Sequence, residues 1–326
     1  MRYICIFFLL ATLAGCKTET SLSSSHGSYI TGNASPEYLA IASAGRTAPI
    51  WISSSEHPGV VRAIRDLQSD IEKVSGILPD IMESLPAEDK EPGTTGEIIL
   101  AGTIGQNPLI DRLIDENKLD DSRLTGKYDA SLTTVVNHPF PGVSRALVIA
   151  GSDKRGTIYG IYECSRQIGV SPWYFWADVV PAEMDEIRVI PGSYLLDEPA
   201  VRYRGIFIND EAPALAGWVH ENFGGFNHQF YEHVFELILR MKGNYLWPAM
   251  WGRAFYDDDP LNAILADEYG IVIGTTHHEP LMRAHVEWAR YGNGPWDYRR
   301  NEDTLRAFWR EGVERMGSNE SIVSLG

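Results

Sequence analysis

Apolar residues at Val61, Ile64, Leu67, Ile71 and Val74 recur at three- and four-residue spacing, which predicts an amphipathic helix over 57–74. Short continuous apolar runs flank it. Ala48-Pro-Ile-Trp-Ile52, Glu97-Ile-Ile-Leu-Ala-Gly102 and Arg145-Ala-Leu-Val-Ile-Ala-Gly151 read as strands, the last feeding a loop at 152–156 and a helix over 157–168. Strand and helix alternating through short Gly-containing connections predict an α/β domain over 29–196. Pro191, Gly192, Asp197, Glu198 and Pro199 mark a linker at its end.

The pattern then resumes with longer helices. A strand over 201–208 ends in Asn209-Asp210-Glu211, and a helix over 227–241 carries Phe230, Val234, Leu237, Ile238 and Met241 on one face. A strand over 244–247 ends in Pro248-Ala-Met-Trp251, and a strand over 271–275 in His277-His278-Glu279. Helices are expected over 262–268, 281–290 and 304–316, with a fourth strand over 321–325. Each strand ends in polar or aromatic residues, as in a (β/α)8 barrel, whose catalytic groups sit at the carboxyl ends of its strands. Residues 197–326 are therefore expected to form the first half of such a TIM-type barrel, truncated at four strands. An open half barrel exposes an unpaired sheet edge, so the chain is expected to end inside a domain.

Charge and the ends narrow the partners. Lys and Arg total 28 against 44 Asp and Glu, a formal charge of −16, with no clustered basic stripe, so nucleic acid is not an expected partner. Neither G-x-G-x-x-G nor G-x-x-x-x-G-K-[ST] occurs, so nucleotide binding has no support. At the start, Arg2 precedes a short apolar run over 4–13, and Leu13-Ala-Gly-Cys16 resembles a bacterial lipoprotein cleavage and lipidation box. The reading is a signal peptide over 1–15, lipidation of Cys16, and a flexible tether over 16–28. It places the protein at the bacterial cell envelope, on the periplasmic or outer-membrane face, held to the membrane through the anchor at Cys16. The alternative is an ordinary secretory signal with a chance cysteine. The apolar run is too short to span a membrane. Cys164, the one cysteine left after Cys5 and Cys16, reads as a small buried side chain.

At Arg204-Gly-Ile-Phe-Ile-Asn-Asp-Glu211, Phe223-Gly-Gly-Phe-Asn-His228, Lys242-Gly-Asn-Tyr-Leu-Trp-Pro-Ala-Met-Trp251 and Thr275-Thr-His-His-Glu-Pro280, the chain resembles glycoside hydrolase family 115, the xylan α-1,2-glucuronidases. The resemblance covers nearly all of 29–326, as the N-terminal portion of a longer family pattern. It implies an N-terminal α/β domain, a catalytic barrel, and removal of 4-O-methylglucuronic or glucuronic acid from glucuronoxylan or aldouronic oligosaccharides with inversion. It also implies that further site residues lie on later strands, so the 326-residue chain alone is expected to be inactive. No nicotinamide, flavin or obligatory metal is implied.

The residues fit that chemistry. An inverting glycosidase needs one carboxylic acid to protonate the leaving oxygen and one carboxylate to activate water, about 6.5–9.5 Å apart. Side chains alternate along a strand, so one of Asp210 and Glu211 faces the barrel mouth. The family pattern assigns that place to Asp210 as the catalytic acid of the first strand; the plain alternative is a capping role. Asn209, His277, His278, Glu279, Lys242, Asn244, Trp247 and Trp251 complete the substrate-binding candidates. One histidine of the pair is expected to meet substrate while the other packs beneath, and either tryptophan offers a ring face or fills the core. Lys242 or Arg253 is a candidate for the substrate carboxylate, whereas Arg204 reads as a structural ion pair. Adjacent histidines without H-E-x-x-H do not make a metal site. Four aromatics in Trp173-Tyr-Phe-Trp176 suit either a domain interface or a sugar shelf. Two rival readings are a non-catalytic glycan-binding envelope lipoprotein and another barrel glycosidase of hexosaminidase-like type.

Overall fold

A computed structural model describes residues 27–83 and 96–325, so the signal peptide, the Cys16 box and most of the tether lie outside the described residues. The first half contains β1 (Ile30–Thr31), β2 (Leu39–Ser43), β3 (Arg46–Thr47), β4 (Ile50–Trp51), α1 (Pro58–Ser75), β5 (Ile81–Met82), β6 (Glu97–Thr103), α2 (Pro108–Asp115), β7 (Ser131–Asn137), β8 (Arg145–Gly151), α3 (Lys154–Gln167), β9 (Ile187–Val189) and β10 (Ser193–Leu196). Six strands form one sheet in the order β10-β7-β8-β6-β4-β5, parallel from β8 to β5 and antiparallel across β7 and β10. Ile99 pairs with Leu147 in register, and both join the larger apolar core, while Ile98 and Leu100 point into a smaller one on the opposite face. Burial on both faces explains why these strands read as unbroken apolar runs rather than alternating ones. A second, antiparallel sheet, β1-β9-β2-β3, packs on β6 and β8 through β2.

The second half contains β11 (Gly205–Phe207), α4 (Ala214–Phe223), α5 (His228–Arg240), β12 (Tyr245–Trp247), α6 (Phe255–Asp258), α7 (Leu261–Tyr269), β13 (Val272–Gly274), a 3-10 turn (Pro280–Met282), α8 (His285–Tyr291), α9 (Glu302–Glu314) and β14 (Ser321–Ile322). Its four strands pair in chain order, all parallel: Phe207 opposite Trp247, Leu246 opposite Ile273, Gly274 opposite Ile322. The fold is thus mixed α/β with three sheets, and no closed barrel forms among the described residues.

One apolar core joins the two halves. It runs from Ile64 and Leu67 of α1 and Ile158 and Ile161 of α3 to Val234 and Ile238 of α5 and Ala266 of α7. Gly59 makes the α1–α7 approach possible, since a Cβ there would stand 2.0 Å from the Glu268 carbonyl oxygen. Polar pairs are buried in the same seam. Arg240 Nη1 donates to Asp70 at 2.8 Å, and Asp129 accepts from Arg155 at 2.7 Å, Arg204 at 3.0 Å and Asn244 at 3.2 Å.

Tyr174, Phe175 and Trp176 pack in this seam, whereas Trp173 is exposed. Tyr174 donates to Glu236 at 3.0 Å, Phe175 stacks on His233 at 3.8 Å, and Trp176 meets Phe230 edge-on, all on α5. Cys164 is fully buried and free, and burial pushes its thiol up to about 12.

Candidate functional site

The site forms where the parallel strands end. Past β11 the backbone stays bonded to its neighbour, with Ile208 N–H donating to the Trp247 carbonyl at 3.0 Å. Asp210 follows, buried, and its two oxygens accept the backbone N–H groups of Met250 at 3.2 Å and Trp251 at 3.1 Å. Glu211 beside it is exposed. Asp210 therefore fixes the loop after β12 and with it the exposed indole of Trp251.

The segment after β13 is held as firmly. Glu279 N–H donates to the Thr276 carbonyl at 2.9 Å, and Thr275 Oγ1 donates to the Glu279 carbonyl at 2.8 Å. Leu281 N–H donates to the Ser324 carbonyl at 2.8 Å, tying this turn to the segment after β14. Between the two loops and α8 lies a cleft of about 550 Å³, walled by Trp251, His278, Glu279, His285 and Trp288. That volume falls in the range of small-molecule sites.

Glu279 gives the cleft its chemistry. It is 4% exposed, and loss of hydration raises its carboxyl to about 8. The nearby negative charges of Glu287 and Asp210 push the same way, while the Thr276 backbone and Arg315 pull it back. A carboxyl group neutral at pH 7 can donate a hydrogen bond or a proton, which an ionised one cannot. Glu287 beneath it is occupied, accepting from Arg315 at 2.6 Å and pairing with Arg283 at 3.2 Å.

The other candidates separate clearly. His277 and His278 are both exposed with their rings 3.9 Å apart, so neither packs beneath the other as alternation along a strand had suggested; they sit in a turn, where that parity does not hold. His278 lines the cleft, and its ring lies 6.5 Å from that of Trp251. Asn209 is exposed at the end of β11. Trp247 lies outside the cleft wall, half-buried, with its Nε1–H on the Tyr245 hydroxyl and its ring edge-on to Phe207.

Lys242 and Asn244 do not fit the roles expected of them. Both precede β12, so they lie at its amino end, across the sheet from Asp210. Lys242 Nζ is 3.5 Å from Glu163 of α3, and desolvation lowers its ammonium to about 8. Asn244 is buried, donating to Asp129 and to the Arg202 carbonyl. Arg253 hydrogen-bonds His220 at 2.7 Å, and Arg204 is the structural partner of Asp129.

Asn227 caps α5 by accepting the Phe230 N–H. In the acidic run, Asp257 serves Arg290 and Tyr291, and Asp259 accepts from His228 and from Leu261 N–H. The sequence reading missed His285, Trp288, Trp296 and Trp309. They stand on or beside helices that follow the strands, where an aromatic at helical spacing reads as core.

Comparison with known proteins bears on the same region. Residues 196–326 match the model of glycosyl hydrolase family 115. A family GH115 4-O-methyl-alpha-glucuronidase with specificity for decorated arabinogalactans is 33% identical in sequence, with a TM-score of 0.75; the match covers 88% of this chain and 36% of that one. The chain thus spans little more than a third of that neighbour. A Streptomyces plicatus beta-hexosaminidase aligns at 12% identity over 73% of this chain and 42% of that one, with a TM-score of 0.42. A Vibrio harveyi exo beta-N-acetylglucosaminidase aligns at 11% identity over 76% and 34%, with a TM-score of 0.39. A search of curated proteins finds no match.

Proposed function

Because the chain belongs to glycoside hydrolase family 115, we propose that its cleft receives a 4-O-methylglucuronic or glucuronic acid unit, which the complete protein removes from a glycan by hydrolysis with inversion. The observation that carries this reading is Glu279, a buried carboxyl raised to about 8 in the wall of a cleft that Trp251 and His278 share. In this scheme Glu279 is a proton donor at neutral pH, either to the leaving oxygen or in a hydrogen bond to the substrate. Trp251 offers a ring face to the sugar, His278 a polar contact, and Asn209 and His277 polar groups at the rim. Asp210 stands behind the cleft wall rather than in it, and its proposed role is that of the carboxylate of the first strand. Its bonds to Met250 and Trp251 support a positioning role as well, and each of its oxygens retains a further lone pair.

The parallel order of β11 to β14, with helices between, supports the first half of a (β/α)8 barrel over 197–326, behind an α/β domain over 29–196. Both outer strands are unpaired on one side among the described residues, which supports the reading that this chain by itself lacks turnover. The glycan is either glucuronoxylan or, as for the neighbour of 33% identity, a decorated arabinogalactan. Anchorage at the cell envelope through a lipidated Cys16 belongs to the same proposal, and mass spectrometry of the mature N-terminus tests it. The functional test is incubation of the complete protein with uronic-acid-substituted xylan and arabinogalactan oligosaccharides beside N-acetylglucosaminides. Release of the uronic acid alone supports the reading; release of N-acetylglucosamine, or of nothing, rejects it.

A further inference from the structure

A second cavity adjoins the first. It measures about 380 Å³ and shares the His278 and His285 wall, but its far side is built from Trp296 and Trp309. The indoles of Trp288, Trp296 and Trp309 form a connected series, edge-on at 5.0 Å and then 5.7 Å. Trp296 is 45% exposed despite these contacts, and the Nε1–H of Trp309 is buried without an acceptor. None of the imidazoles of His277, His278 and His285 hydrogen-bonds another protein group among the described residues. Ring faces beside unused donors and acceptors are what a pyranose unit requires. Its axial C–H groups pack on the negative face of an indole while its equatorial hydroxyls take hydrogen bonds from the rim.

We propose that this second cavity is a subsite for the neutral pyranose main chain of the glycan, next to the unit that carries the uronic acid, with Trp296 and Trp309 as its stacking platform. The proposal rests on the functional reading above, since the uronic acid is taken to occupy the first cavity. Lys, Arg, Asp and Glu are all absent from the lining of the second cavity, which suits an uncharged segment. The trough would then give the protein a preference for substituted oligosaccharides over the free acid, because only the former fill both cavities.

Calorimetric titration of the 326-residue chain with free 4-O-methylglucuronic acid, and with a neutral main-chain oligosaccharide bearing that acid, tests this. The substituted oligosaccharide should bind about tenfold more tightly than the free acid, the size of one well-placed aromatic contact. Trp296→Ala should abolish that difference and leave affinity for the free acid unchanged. Equal affinity of the two ligands for the unaltered chain would overturn the subsite, whatever the variant does. So would an oligosaccharide preference that survives in a folded Trp296→Ala or Trp309→Phe protein. If neither ligand binds, the functional reading fails as well, so the two claims can be told apart.

Discussion

Asp210 accepts the backbone N–H of Trp251 at 3.1 Å, linking the end of the first parallel strand to the loop that follows the second. Its other oxygen takes the Met250 N–H. A buried carboxylate thus holds the one exposed tryptophan of the cleft wall in place, and the site depends on that support.

Asp210→Asn tests the link. The amide retains one acceptor oxygen and sets an NH2 group against a backbone donor, leaving one buried N–H unpaired. The expected loss is about 1–3 kcal/mol of stability, read by denaturant unfolding. Affinity for the uronic acid should fall with it, read by Trp fluorescence.

Glu279 predicts a pH dependence of definite sign. Its carboxyl is raised to about 8 in the folded chain, so between the ordinary carboxylate range and pH 8 the folded state holds a proton that the unfolded state has lost. Its contribution is therefore fully present below about pH 4.5 and declines as pH rises through about 8. Glu279→Gln should match the parent protein in stability at pH 5 and exceed it at pH 8 and above. Unfolding curves at the two pH values check this.

The seam between the halves should be costly to cut. Asp70→Ala leaves the buried guanidinium of Arg240 without its 2.8 Å partner, although Glu236 still accepts at 2.7 Å. A loss of about 3 kcal/mol is expected, the lower end for an orphaned buried charge. Chemical denaturation should show both halves losing structure in one transition.

Much of this seam and site was legible in the sequence. The apolar run 145–151 forms β8 over those same residues, and the helix read over 227–241 spans His228–Arg240. Others were not legible. The helix Ala214–Phe223 is apolar with no clear stripe, and Ser131–Asn137 mixes Thr with Val in a strand whose alternation is blurred by burial on both faces. Asp210, His278 and Glu279 could be found because polar residues directly after an apolar run lie at the carboxyl end of its strand. Lys242 and Asn244 come before such a run, and that order alone puts them at the opposite end. His285 and Trp288 converge on the cleft only through the turn Pro280–Met282, which no periodicity announces.

Lys242 makes that correction testable. With its ammonium beside Glu163, Lys242→Ala should alter stability but leave affinity for 4-O-methylglucuronic acid unchanged within twofold, as titration calorimetry can check. A large loss of affinity in a folded variant would return Lys242 to the site.

The most direct test of the account follows the complete protein by NMR as it acts on oligosaccharides bearing α-linked 4-O-methylglucuronic acid. Free uronic acid should appear first as the β-anomer, and, with Glu279 as the proton donor to the leaving oxygen, Glu279→Gln should suppress its release at least a hundredfold, the scale of a lost general acid. Release of the α-anomer first, or full activity in Glu279→Gln, would contradict the account.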